Sequence, residues 1–282
     1  MKTFHFKLLG FFLTINLLGL GCISYQKPLL DKLKDSNVEI VKKDTYLGVK
    51  LFAKLTNCSE ATITLEAILS GMKSSPPLPI TVDSKGRQYF EIAKLIPTTD
   101  GRWEYHYHYF WLPGRCSTID SCSFLYSLPY KTESFKVAQG YKGTFSHKEG
   151  SNDEFAIDWK MPIGTEIYST RGGIVVGFRM DSDTGGSDSI FVNSANYVII
   201  MHDDGTFANY VHLMKNSVIV KLGQKVKEGE LLALSGNTGH STSPHLHLSI
   251  FHNVNGHFRK TIPVKFKTKT GEITELINGE YY

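Results

Sequence analysis

Long apolar runs, cysteine pairs and helical periodicity are scarce in this 282-residue chain, and each scarcity argues against a class of protein. The longest apolar run, residues 8–20, falls short of the about 20 residues that a membrane-spanning helix needs. The four cysteines, Cys22, Cys58, Cys116 and Cys122, form no Cys-x-x-Cys pair, so a cysteine-based zinc site has no support. After residue 158 no segment keeps a 3.6-residue amphipathic period beyond ten residues, which points away from helices. Ser146 adjoins His147, but no Gly-x-Ser-x-Gly turn is present, which discounts a serine hydrolase of that type. Charge of one sign is lacking too: 31 basic against 27 acidic residues leave a formal net charge of +4, and nothing suggests nucleic acid as a partner.

The N-terminus is informative. A basic start carrying Lys2 and Lys7, the apolar run and then Gly19-Leu20-Gly21-Cys22 predict a signal peptide over residues 1–22. Small residues before a cysteine, behind a leucine-rich stretch, resemble a bacterial lipoprotein signal. Acylation at Cys22 would then tie the chain to a membrane, whereas ordinary cleavage would leave Cys22 unmodified. Loss of residues 1–21 removes Lys2 and Lys7 and leaves 29 basic against 27 acidic residues. In an exported chain Cys116 and Cys122 can pair across a short loop, leaving Cys58 as a single thiol.

What the chain does have is short alternating runs. Those at 38–49, 51–55, 61–69, 80–82, 88–92 and 103–112 are split by Asn, Gly, Pro and Asp, and predict a β-sandwich-like module over residues 23–135. Ser127-Leu128-Pro129-Tyr130 is the expected linker. Further runs at 166–169, 173–178, 197–202, 208–213, 231–235 and 246–251 predict a second, mainly antiparallel β domain over 136–255, followed by a C-terminal β extension over 256–282. Residues 180–194, rich in Asp, Ser and Gly, are expected to form a mobile rim loop.

The chemistry concentrates in residues 140–251. His245 and His247, in Pro244-His245-Leu246-His247-Leu248, share one face of a predicted strand about 6.5–7 Å apart. That spacing suits one metal ligand and one neighbour poised over water on the metal, because catalytic zinc takes about three protein ligands and keeps a position open. His147 and Asp158 are the distant partners, whose mixed donors a borderline metal accepts, and His212 is a second imidazole for proton transfer or oxyanion stabilisation. A second His-x-His, in Tyr105-His106-Tyr107-His108-Tyr109, lacks a carboxylate-bearing motif and is expected to be the outward face of a strand.

These residues resemble the lysostaphin-type zinc endopeptidases. The resemblance runs through about 110 residues: Gly140-Tyr141-Lys142-Gly143-Thr144-Phe145-Ser146-His147, Ala156-Ile157-Asp158-Trp159, Tyr210-Val211-His212-Leu213, and Ser235-Gly236-Asn237-Thr238-Gly239 through Pro244-His245-Leu246-His247. One departure is the spacing of the first His and Asp, eleven positions here where many members have four. Carried over residue by residue, the resemblance implies zinc ligands at His147, Asp158 and His247, and catalytic imidazoles at His212 and His245. Tyr210 and Asn237 would shape the substrate groove or hold a turn or hairpin together. The implied fold is an antiparallel β-sheet groove of the duplicated hybrid motif kind. The implied activity is hydrolysis of amide bonds in peptidoglycan stem peptides or cross-bridges; the alternative is a non-catalytic peptidoglycan-binding or amidase-activating member. The implied location is the cell envelope, as a periplasmic protein or an outer-membrane lipoprotein.

Overall fold

The computed structural model describes residues 37–56, 60–116, 123–131, 133–273 and 275–282. The expected signal segment with Cys22, together with Cys58 and Cys122, lies outside the described residues, and so does the expected Cys116–Cys122 pair. Among the described residues the chain is mainly β, with one short 3-10 helix, Ser189–Ser194.

Alternation of side chains builds the front module. In the strand Gly48–Thr56, Val49, Leu51, Ala53 and Leu55 are buried while Lys54 is exposed, the period-2 pattern of a half-buried strand. Asn37–Thr45, Gly48–Thr56, Tyr89–Pro97 and Met72–Ser75 form one antiparallel sheet in that order; Ile80–Asp83, Ala61–Ser70 and Glu104–Pro113 form the other. Both contribute to a single core that includes Leu51, Ile63, Leu65, Leu95 and Trp111, which makes a sandwich. His106 and His108 are exposed, with Tyr105, Tyr107 and Tyr109 half-buried on the opposite side, as the alternation predicts.

The second body is organised by one antiparallel sheet. Its strands are, in order, Lys225–Val226, Gly173–Arg179, Tyr197–Met201, Phe207–Val211, His245–Asn253, Ile157–Lys160 and Lys136–Gln139, with Arg259–Thr261 paired to the far half of His245–Asn253. One face is core: Ile157, Trp159, Val198, Ile200, Tyr210, Leu246, Leu248 and Ile250 pack together. The other face carries Asp158, Asn209, Val211, His247, Ser249 and Phe251. Adjacent residues on a strand point to opposite faces, so the chain builds a dry core and a polar site from the same strands.

The boundary expected at residue 135 falls inside this second core. Tyr126, Tyr130 and Phe135 are buried in it, and the strand Leu125–Ser127 pairs in parallel with Lys265–Thr268. Residues 256–282 contribute Ile262, Val264, Phe266 and Leu276 to the same core, so this stretch closes the body that precedes it. The two bodies meet where Asn253 Nδ2 donates to Pro113 O at 2.7 Å and Gly256 N to Thr64 Oγ1 at 2.9 Å. Gly114 sits at this junction with φ +83°, and a Cβ there would lie 2.3 Å from Phe207 Cζ; only glycine allows the approach.

Tyr210, expected as a groove residue or a hairpin support, is fully buried in the core. Its neighbour Val211 takes the position opposite His247, so alternation turns Tyr210 away from the site. The Tyr210 hydroxyl accepts from Thr170 N and lies 2.8 Å from Thr170 Oγ1. Tyr210→Phe should therefore lower unfolding free energy by about 1–3 kcal/mol, because the buried Thr170 N–H loses its acceptor. Chemical denaturation measures the loss, and the metal content of the folded variant should stay unchanged.

Candidate metal centre

Register brings the first two site residues together. Asp158 lies directly opposite His247 in the antiparallel pair Ile157–Lys160 with His245–Asn253. Asp158 Oδ1 is 2.9 Å from His247 Nδ1. His147 comes from the loop after Lys136–Gln139, and its Nε2 is 3.4 Å from both His247 Nδ1 and Asp158 Oδ1. All three side chains are buried, and their donor atoms form a compact cluster. A tetrahedral zinc with metal–ligand distances of about 2.0–2.1 Å separates its ligands by about 3.3–3.4 Å, which two edges of this triangle match while the third, at 2.9 Å, is shorter, and the donor types suit zinc.

Gln139 holds Asp158 and the turn that carries His147 in place. Its Nε2 donates to Asp158 Oδ2 at 3.1 Å and to Ser146 Oγ at 2.9 Å, while its Oε1 accepts from Phe145 N at 2.9 Å. The amide thus joins Asp158 on the sheet to the turn that delivers His147. Gly143 makes room for it, since a Cβ there would lie 2.3 Å from Gln139 Cγ.

The other two predicted imidazoles flank the triangle. His245 Nδ1 is 2.7 Å from Ser243 O and 3.1 Å from Ser241 Oγ, and its Nε2 is 3.8 Å from Asp158 Oδ1. His212 Nδ1 is 2.7 Å from Thr238 O. A carbonyl only accepts, so both Nδ1 atoms carry hydrogen and both Nε2 atoms keep a lone pair. His212 has φ +65°, a left-handed conformation that is costly for histidine. The residue after Val211 would otherwise point to the core face; instead the His212 ring centroid is 4.5 Å from that of His245.

Asn237 is half-buried, and its Oδ1 accepts from Ser241 Oγ at 2.7 Å. It therefore fastens the turn beneath His245. The segment 180–194, expected to be mobile, is fastened as well: Asn196 Nδ2 donates to Ser182 O at 2.8 Å, and His240 Nε2 lies 2.9 Å from Ser187 O.

Two buried charged residues that carry no motif complete the site. Asp153 Oδ1 lies 3.7 Å from His247 Nε2 and 3.6 Å from Arg259 Nη2. No spacing rule singles these residues out. Gln139 alone had a signal, a polar residue at an inward position two after the buried Val137.

Burial and charge set the ionisation of the metal-free cluster. Burial would raise the Asp158 carboxyl, but the imidazoles of His147 and His247 hold it well below the usual carboxylate range. Asp153 is likewise brought to about 2, against its burial, by His247 and Arg259. Burial would lower His247, yet the carboxylates of Asp153 and Asp158 raise it to about 10. His212 is pushed down to about 3 by burial, with His245 and His247 adding to the effect.

Comparison with known proteins agrees with this chemistry. Residues 153–258 match Peptidase family M23, a stretch that contains Asp158, His212, His245 and His247 and begins after His147. The peptidoglycan DD-endopeptidase ShyA of Vibrio cholerae is 42% identical over 93 residues, which are 33% of this chain and 19% of ShyA. A protein described as an uncharacterized metalloprotease of Buchnera aphidicola is 39% identical over 95 residues, 34% of this chain and 22% of that protein. The match thus spans about a fifth of the length of these two relatives. The solved catalytic domain of lysostaphin from Staphylococcus simulans aligns at 25% identity over 47% of this chain and 88% of that one, with a TM-score of 0.31.

The ionisation pattern predicts a pH profile for the metal-stripped protein. His212 and His202, the latter lowered to about 4 chiefly by burial, stay neutral when folded but take up protons near pH 6.5 when unfolded. Their contribution is present above pH 6.5 and is lost as pH falls toward 4. His247 runs the other way: its contribution is complete below pH 6.5 and is lost as pH rises toward 10. Thermal unfolding in chelator should therefore show a stability maximum near pH 6.5. Added zinc should abolish the alkaline decline, because it replaces the proton on His247.

Proposed function

From a chain whose residues 153–258 match Peptidase family M23, we propose a zinc metalloendopeptidase that hydrolyses amide bonds in peptidoglycan stem peptides or cross-bridges. The observation that carries this reading is the buried triangle of His147 Nε2, Asp158 Oδ1 and His247 Nδ1, with two tautomerically fixed imidazoles beside it. When bound, zinc supplies Lewis acidity, polarising a carbonyl and acidifying water.

The chain's own groups then manage the protons. A water oxygen bonds to the scissile carbonyl carbon while its proton passes to Nε2 of His245 or His212, each of which has a free lone pair there. The protonated imidazole stabilises the oxyanion and returns the proton to the amide nitrogen as the carbon–nitrogen bond breaks. Hydrogen bonds from Nδ1 to Ser243 O and Thr238 O keep both rings aimed throughout. Burial of His212 favours its neutral form and so weakens it as a base.

Such a substrate requires export, and the composition of residues 1–22 supports a signal peptide with acylation at Cys22. ShyA is named a peptidoglycan DD-endopeptidase and ALE-1 of Staphylococcus capitis a glycyl-glycine endopeptidase. Endopeptidase activity is common to both names.

The test is digestion of purified peptidoglycan with and without a chelator, with released fragments read by mass spectrometry. Zinc-dependent cleavage is expected. His245→Ala should keep its zinc and lose about 10²–10⁴-fold in kcat/KM. Zinc-loaded wild-type protein that releases nothing would overturn the enzymatic reading in favour of wall binding.

A further inference from the structure

Four imidazoles meet at the site, and three of them are oriented by backbone carbonyls. His147 Nδ1 is 3.1 Å from Gly140 O, His212 Nδ1 is 2.7 Å from Thr238 O and His245 Nδ1 is 2.7 Å from Ser243 O. Each of these rings therefore offers Nε2 to the centre. His247 is turned the other way. Its Nδ1 faces Asp158 and His147, and its Nε2 faces away from them toward the carboxylate of Asp153.

The surroundings of Asp153 suit one task. The residue lies in the stretch between His147 and Asp158, and a turn in which Ala156 N donates to Asp153 O at 2.9 Å directs it inward. It is 8% exposed, and its Oδ1 has no hydrogen bond of its own. A buried carboxylate needs a compensating charge. Arg259, itself 7% exposed, approaches Oδ1 to 3.6 Å with its guanidinium 4.7 Å over the Phe251 ring. Oδ1 thus stands between a fixed cation and a ring nitrogen, both slightly beyond hydrogen-bond distance. A contraction of less than about 1 Å would let it accept from His247.

We propose that Asp153, held in place by Arg259, is a positioning residue for the metal ligand His247: it accepts the Nε2 hydrogen and so keeps the Nδ1 lone pair aimed at the metal. A carboxylate behind a ligating imidazole fixes the tautomer and makes the ring a better donor. This gives the longer spacing between His147 and Asp158 a purpose, since the intervening residues carry the carboxylate behind the third ligand. The inference rests on the metal site proposed above.

The test is zinc affinity of the full chain, measured by competition with a chromogenic chelator at neutral pH. Asp153→Ala should weaken binding about 10–100-fold, and Asp153→Asn, which retains an acceptor, should lose about three- to tenfold. In a His247→Ala background, Asp153→Ala should cause no further loss of the residual affinity, which separates an effect through His247 from general loosening of the fold. Affinity of Asp153→Ala within twofold of wild type, or the same loss in both backgrounds, would overturn the proposal. If Asp153→Ala does not fold, unchanged affinity in Asp153→Asn does so. Wild-type protein that binds no zinc would instead remove the metal-site reading itself, and this inference with it.

Discussion

The antiparallel register that sets Asp158 against His247 is the constraint on which the rest of the structure depends. A slip of one residue between the two strands would set Asp158 opposite Leu246 or Leu248 and leave the two side chains on opposite faces of the sheet. The same register places Trp159 and Leu246 in the core, so the forces that bury apolar surface also hold the two ligands together. Folding energy and site geometry are coupled through strand alternation.

Around this pair the chain assembles groups that repel solvent and attract a cation. His147, Asp158, Asp153 and His247 are all buried, and in the absence of metal a proton on His247 balances the carboxylates. A divalent ion at the proposed site would take over that role and add directional bonds. Each donor is held from behind: Asp158 by Gln139, His147 by Gly140 O, and His247 faces Asp153. Donors fixed in this way would need little rearrangement on binding a metal, which would favour affinity.

Much of this was legible in the sequence, for physical reasons that differ by residue. His245 and His247 could be paired because a strand repeats every two residues, and His147, Asp158 and His212 could be added because short motifs surround each. The alternating runs before residue 113 announced a sandwich, which the two sheets form. Other features were hidden. Tyr210 lies beside a site strand position, and only the register reveals that Val211 takes the site face. Residues 127–130 read as a linker because Pro129 and Ser127 are turn formers, yet Tyr130 and the adjacent Tyr126 are buried in the second core with residues far later in the chain. Asp153 and Arg259 act through contacts between segments that no local pattern encodes.

The central claim is that His147, Asp158 and His247 hold one zinc ion with a mixed nitrogen and oxygen shell. X-ray absorption at the zinc edge of the stoichiometrically loaded protein tests it most directly. The account predicts a shell of light atoms at about 2.0–2.1 Å, with the outer scattering of two imidazoles and no sulfur at about 2.3 Å. Substituting His247 should remove one of the two imidazole signatures. A sulfur shell, or a shell of oxygen atoms with no imidazole scattering, would contradict the account.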